Sequence, residues 1–336
     1  MGRTRAHLIA GVLLAVALVA SMLAAVTFGP ADIRVGDIWS TVLHHLGVGD
    51  AALSQTRDAI VWELRVPRVL TAAAVGAGLA VCGAIMQSIT RNPLADPYLL
   101  GLSSGASLGA VVVIVLGVTI ALPVAAFAGA LGALTLTILL AGAFTTISPS
   151  RTVLAGIAVS AFFGAITSLI IFWSATGEGY REILGWLLGS LAGATWQSVL
   201  VAVAAFLVVG VPLLLSGNTL DAFAFGDRTA ASLGVHVTGM RRLLLVGTAL
   251  LTGGLVAVSG SIGFVGLIVP HAVRLISGPG HRALLPLTAL AGAILLVWAD
   301  TGARTVFDPR ELPVGIVTAV VGAPVFAAVL GRRETT

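Results

Sequence analysis

Arg65 and Arg68 flank a proline in Leu64-Arg65-Val66-Pro67-Arg68, where a long apolar run begins. Each guanidinium is a permanent cation with a planar fork of donors suited to carboxylates. The span count below puts this end of the run on the outer face of a membrane, whereas arginine normally gathers on the inner face. Two arginines on the unexpected side read as a docking surface for an acidic partner. His271, Arg274 and Asp300 lie in or beside apolar runs, a setting that often marks a transport path. Here pairing explains more of them. Asp300 and Arg304 stand four apart on one helix face and can pair, and Arg274 can extend its stem to the surface. His271 has no partner at metal-ligand spacing, so no metal site is expected. Cys82 is the single cysteine, which excludes an intrachain disulfide or cysteine cluster and leaves a small core residue.

The residue types that are missing exclude more. All 18 basic residues are arginine. Without lysine the chain cannot build a Walker A loop, so any ATP-driven step needs another chain. No HExxH string, paired buried carboxylates or nucleophile elbow is read, and no catalytic residue is assigned. The formal charge of +4 comes from loop arginines, without a basic run or an aromatic-interleaved basic patch, which argues against nucleic acid.

The elements that must position these residues are membrane helices. The chain has 336 residues, 58% hydrophobic and 10% charged, with mean hydropathy +1.08. Apolar runs of about 20 residues recur throughout, long enough to cross a bilayer as helices. They do not alternate apolar with polar, which argues against a barrel. The fold class expected is an all-α polytopic membrane protein with about ten spans, at 8–28, 66–89, 98–118, 121–144, 151–173, 195–215, 243–259, 262–277, 284–302 and 313–331. Arg3 and Arg5 before the first run resemble a signal peptide, but the run is long and more spans follow, so it reads as a retained helix.

An even number of spans puts both termini on one side. That side receives Arg3, Arg5, Arg91, Arg151, Arg228, Arg241, Arg242, Arg282, Arg332 and Arg333. The other receives Arg34, Arg57, Arg65, Arg68, Arg181, Arg304 and Arg310, offset by acids including Asp32, Asp50, Glu63, Glu178, Asp308 and Glu311. The base-rich, acid-poor side is the cytoplasm. Gly76, Ala80 and Ala84 form one small-residue stripe and Gly101, Gly105 and Gly109 another, which predicts close helix packing in lipid. The prolines at 67, 93, 97, 270, 313 and 324 fall at or near span ends, and most read as helix boundaries, with Pro324 and Gly322 able to bend the last helix. Ala80-Val-Cys-Gly83 recurs as Ala257-Val-Ser-Gly260, hinting at inverted halves, 1–194 and 195–336, within one permease domain. Residues 29–64 should hold a short amphipathic helix around Asp37 to Leu43. In the inner loop 217–242, Asp227 to Leu233 reads as a helix closed by Gly234, with a second short helix before it. Together they would present a knob to a cytoplasmic partner.

Several long strings then resemble the FecCD family of permeases. They are Arg65-Val-Pro-Arg68-Val-Leu, Gly83-Ala-Ile-Met-Gln87, Asn92-Pro-Leu-Ala-Asp-Pro97, Leu100-Gly-Leu-Ser-Ser-Gly105, and Ser259 to His271 with Arg274. Asp300, Arg304, Glu311 to Thr318 and Gly322 to Phe326 complete the series in order, so the resemblance covers nearly the whole chain. It implies a type II ABC importer permease fold in the bacterial inner membrane, carrying an iron–siderophore, haem, cobalamin or related metal chelate. The implied partners are a second permease copy, two ATPase subunits that bind ATP and magnesium, a periplasmic or lipid-anchored binding protein, and membrane lipid. No cofactor is implied in this chain. The resemblance assigns Arg65, Arg68 and Arg304 to binding-protein docking, with Arg310 competing for the last place. It assigns Gly226, Asp227, Arg228, Ala230, Ala231, Leu233 and Gly234 to ATPase coupling, and Ser160, Thr167 and Ser168 to the path. The rivals are an ion-driven secondary transporter, which would need buried carboxylates within the spans, an intramembrane enzyme and a structural scaffold.

Overall fold

The computed structural model describes residues 2–29, 31, 33–49, 53–118, 122–142, 149–174, 177–307 and 310–331. Asp32, Asp50, Asp308, Arg332 and Arg333, used above to sort the loops, lie outside them. Every regular element among the described residues is a helix. Seven are long and apolar enough to cross a membrane, and three shorter apolar helices occupy the other expected spans. This is an all-helical polytopic membrane protein.

One helix organises the rest. α1 (Gly2–Thr27) and the short α2 (Val35–His45) lead into α3, a continuous 36-residue helix over Gln55–Thr90. α3 starts eleven residues before the expected span. It passes through Pro67 because the turn Ile60–Arg65 is wound as a π-helix just before it. Proline lacks an N–H and crowds the carbonyl four residues back, and a wider turn relieves both. The same device recurs in α8 (Trp196–Leu214), where the π-turn Phe206–Gly210 precedes Pro212. Of the apolar window of α3, 83% is buried, against 17% for α1.

α3 is wrapped by α8, α11 (Val237–Ser259), α12 (Val265–Ser277) and α13 (His281–Thr305). Small residues set these contacts. A Cβ on Gly76 would lie 2.3 Å from the Gly292 carbonyl oxygen, and one on Gly292 would lie 2.5 Å from Ala80 Cβ. The expected stripe on α3 is therefore its seam with α13. In the same way Gly105 and Gly109 of α4 (Leu102–Val115) meet the backbone of Gly129 and Ala125 on α5 (Leu122–Leu140). α6 (Pro149–Ser174) lies on α4 and α5, and α7 (Glu178–Leu187) on α4. α9 (Gly217–Ala224) and α10 (Asp227–Ser232) are the two short helices before α11, and α14 (Val314–Gly331) closes the chain.

Pro67 and Pro270 stand inside α3 and α12 rather than at their ends, and Pro324 stands inside α14, where a bend in the last helix is expected. The four-residue repeat does not share a conformation: Gly83 is inside α3, whereas Gly260 ends α11 at φ +65°. One core cluster draws on both halves, from Val69 and Leu79 to Leu251 and Leu296.

Candidate functional site: two polar clusters joined by one helix

At one end of α3, three arginines and two carboxylates converge. Arg68 Nε donates to both oxygens of Asp300, at 3.0 and 2.9 Å, and its Nη1 donates to Glu311 at 2.7 Å. Arg304 lies 3.8 Å from the same Asp300 carboxylate and donates to the Ala25 carbonyl at 2.8 Å. Arg65 turns to α1, donating to the carbonyls of Val26, Thr27 and Ala31. Carbonyls at a helix C-terminus have no partner within the helix, and a cation there also suits the dipole. Gly29 makes room, since a Cβ there would sit 2.9 Å from the guanidinium. The cluster thus ties the ends of α1, α3 and α13 to the segment before α14.

This corrects the picture of exposed outer arginines. Arg65, Arg68 and Arg304 are only 4%, 7% and 3% exposed, and their donors point inward. Of the four arginines assigned to docking, Arg310 stands at the surface, with exposed Glu311 beside it. Sequence order does show Asp300 and Arg304 one turn apart. What it does not show is Arg68 arriving from 232 residues away to share the same carboxylate.

The other end of α3 carries the second cluster. Asp227, the first residue of α10, accepts from Arg91 just past α3 and from Arg241 of α11, the latter at 2.9 and 3.0 Å. The hydrogen bond from Arg241 is the main reason its carboxyl is held below the usual carboxylate range. Next to it, Asp221 of α9 accepts from the His281 backbone N–H at 2.8 Å and pairs with the His281 ring at 2.7 Å. α10 closes with a Schellman arrangement: Gly234 at φ +86° donates to Ala231, and Val235 to Ala230. Both expected short helices are therefore present. Ala230, however, is fully buried within this chain and Asp227 is an anchor. The surface of the knob is made by Arg228, Ala231, Leu233 and Gly234, with Phe225 before it.

Between the clusters, α3 is held to α12 by a proline-dependent bond. Pro270 has no N–H, so the Gly266 carbonyl in α12 loses its helical partner. Gln87 Nε2 donates there at 3.4 Å and to Leu267 at 3.1 Å, while Arg274 donates to Gln87 Oε1 at 3.2 Å. Gly83, one turn earlier, leaves the space: a Cβ would fall 1.8 Å from the Gly266 oxygen.

The three residues assigned to the path do not share a surface. Thr167 is buried, with its hydroxyl on the Phe163 carbonyl, and Ser160 is half-buried on the same packed side of α6. Ser168 lies on the exposed side with Ala161, Ala165 and Phe172. The string Gly101-Leu-Ser-Ser-Gly105 does fit the nucleophile-elbow spacing, although no elbow is expected from the sequence. It is no elbow. It lies at a helix start with no strand before it, Ser103 Oγ is 2.6 Å from Ser261 Oγ, and Ser104 Oγ donates to Gly101.

Residues 13–332 match the FecCD transport family. Over 303 residues the chain is 41% identical to the vitamin B12 import system permease protein BtuC of Vibrio cholerae, covering 89% of each chain. It is 39% identical over 343 residues to the hemin transport system permease protein HmuU of Yersinia pestis, covering 99% of this chain and 98% of the relative. Among solved structures, an inward-facing ABC transporter described as of metal-chelate type superposes with a TM-score of 0.77 at 34% identity, over 88% of this chain and 96% of the other.

Proposed function

The chain belongs to the FecCD transport family, and from that premise we propose that it is the permease subunit of an ATP-driven importer for an iron–siderophore or related metal chelate in a bacterial inner membrane. Haem or cobalamin is the alternative cargo, suggested by the relatives. The Asp227 end faces the cytoplasm, with both termini, and the Arg68 end faces outward. Two ATPase subunits supply the hydrolysis that a lysine-free chain cannot carry, and a binding protein delivers solute from outside.

The observation that carries this reading is that α3 joins both polar clusters. A partner pressing on the α9–α10 knob acts through Asp227 on Arg91 and Arg241, hence on α3 and α11 together. At the far end, displacement of α3 is felt by α13 and the segment before α14 through Arg68, Asp300 and Glu311. In the docking assignment, Arg310 contacts the binding protein directly, while Arg65, Arg68 and Arg304 position the surface beneath it. Ser168 and the exposed side of α6, with the exposed Val320, Val321 and Val325 of α14, are open to a second copy and the path.

The test is reconstitution. Vesicles containing the permease, its ATPase and its binding protein should take up a ferric chelate only with ATP. Leu233→Glu, at an exposed knob position, should leave the permease folded and reduce solute-stimulated ATP hydrolysis by roughly tenfold or more, the loss of one buried anchor. Uptake by the permease alone, driven by an ion gradient, would overturn the reading.

A further inference from the structure

Two grooves flank the first part of α1 where it lies against α12 and α13, with volumes of about 660 and 800 Å³. Each is within the size of a small-molecule site. They share His7, Arg282, Ala283 and Leu287, so α1 runs between them like a rib. Their walls away from the mouth are apolar and open to the outside of the bundle: Leu8 and Val12 of α1 are 66% and 64% exposed, and Leu275 and Ile276 of α12 more so. Such walls suit acyl chains.

The mouth is polar and basic. Arg282 is exposed and makes no hydrogen bond or ion pair among the described residues. A cation in the first turn of a helix opposes the helix dipole, so the stability of α13 does not explain it. Arg5 is exposed two positions before His7, and the His7 ring is 3.0 Å from the Ser277 carbonyl. The acid at this mouth is Asp221, which is already engaged by the His281 ring and backbone N–H.

We propose that these grooves hold one anionic glycerophospholipid, its phosphate on Arg282 and its acyl chains along α1. The site lies at the base-rich end read above as cytoplasmic, where anionic lipids concentrate and attract cations next to the membrane. It rests on that orientation. Its place matters because the mouth adjoins Asp221 and His281, which tie α9 to α13. A lipid there fastens α1, which is otherwise little buried, to the base of the knob.

The experiment is lipid retention by the full-length chain, read by native mass spectrometry after exchange into phosphatidylglycerol or phosphatidylcholine with identical acyl chains. Phosphatidylglycerol should be retained preferentially, and Arg282→Gln should lower its retention about fivefold, as one near-membrane cation contributes, with Arg282→Lys restoring most of it. Glycerol 3-phosphate in solution should not compete. A photoreactive phosphatidylglycerol on the unaltered chain should label α1 and the start of α13, which keeps the test valid if a variant misfolds. Equal retention of the two lipids, labelling elsewhere, competition by glycerol 3-phosphate, or a second copy covering the grooves in place of lipid would overturn the proposal. The measurement uses neither ATP nor solute, so its failure and that of the transport reading are distinguishable.

Discussion

Arg65 and Arg68 are three positions apart and serve different neighbours: one closes the end of α1, the other holds Asp300 and Glu311. An exposed salt bridge contributes about 0–1 kcal/mol. A buried pair is different, because removing one partner leaves an uncompensated charge and costs about 3–5 kcal/mol. Arg68→Ala and Asp300→Ala should each lower thermal stability of the purified chain on that scale, and the double substitution should cost less than the sum. Additive losses would show that the two do not act as a pair. Charge reversal at Arg65 or Arg68 is therefore no clean test of docking. Arg310→Glu is: stability should change by less than about 0.5 kcal/mol, while association with the binding protein slows and its salt dependence weakens.

Asp227 permits a pH test at the same scale. Its carboxyl is shifted down on folding, so its stabilising contribution is present above the ordinary carboxylate value of about 4 and is lost only as pH falls through the lowered one. Protection of the amides in residues 225–235, taken as hydrogen exchange relative to the intrinsic rate at each pH, should stay flat from pH 8 to about 5 and fall below about 4. A fall already at pH 6 would mean that another group holds the knob.

Among the elements, α3 and α12 show how one missing N–H shapes an interface. Pro270 frees the Gly266 carbonyl, Gln87 satisfies it, and Gly83 gives the two backbones room. Gln87→Leu keeps the volume close and leaves a buried carbonyl without its donor, a loss of about 1–3 kcal/mol. Gly83→Val should be worse, since it drives backbone against backbone. A Gln87→Leu variant as stable as the parent would remove the polar bond from the account. The π-turns before Pro67 and Pro212 belong to the same logic: the helix widens where proline would otherwise break it.

For the molecule as a whole, α3 lies in the first half of the chain and packs against α8, α11, α12 and α13 of the second. The halves are not separate packing units. A fragment ending at residue 194 would expose α3 seams shaped for partner backbones, including Gly76 against Gly292. It should fail to accumulate as a stable membrane species, and co-expression with 195–336 should rescue it. Independent stability of the first fragment would contradict a shared core.

Composition was enough to make this a helical membrane protein, because unpaired backbone groups are too costly in lipid and apolar runs of this length have few alternatives. Local spacing was enough for α2, the α9–α10 pair, the Gly234 cap, the Asp300–Arg304 proximity and the small-residue seams, since each depends on neighbours within a turn or two. The missing lysine ruled out a Walker A loop without any structure. Tertiary structure alone decided which arginines face inward. Burial of Arg65 and Arg68 depends on α1, α13 and Glu311 arriving from distant parts of the chain, and a side chain's own sequence neighbours carry no record of that. It likewise separated Ser168 from Thr167 and turned Ala230 inward. In each case the deciding partner was a residue or backbone group brought close only by folding.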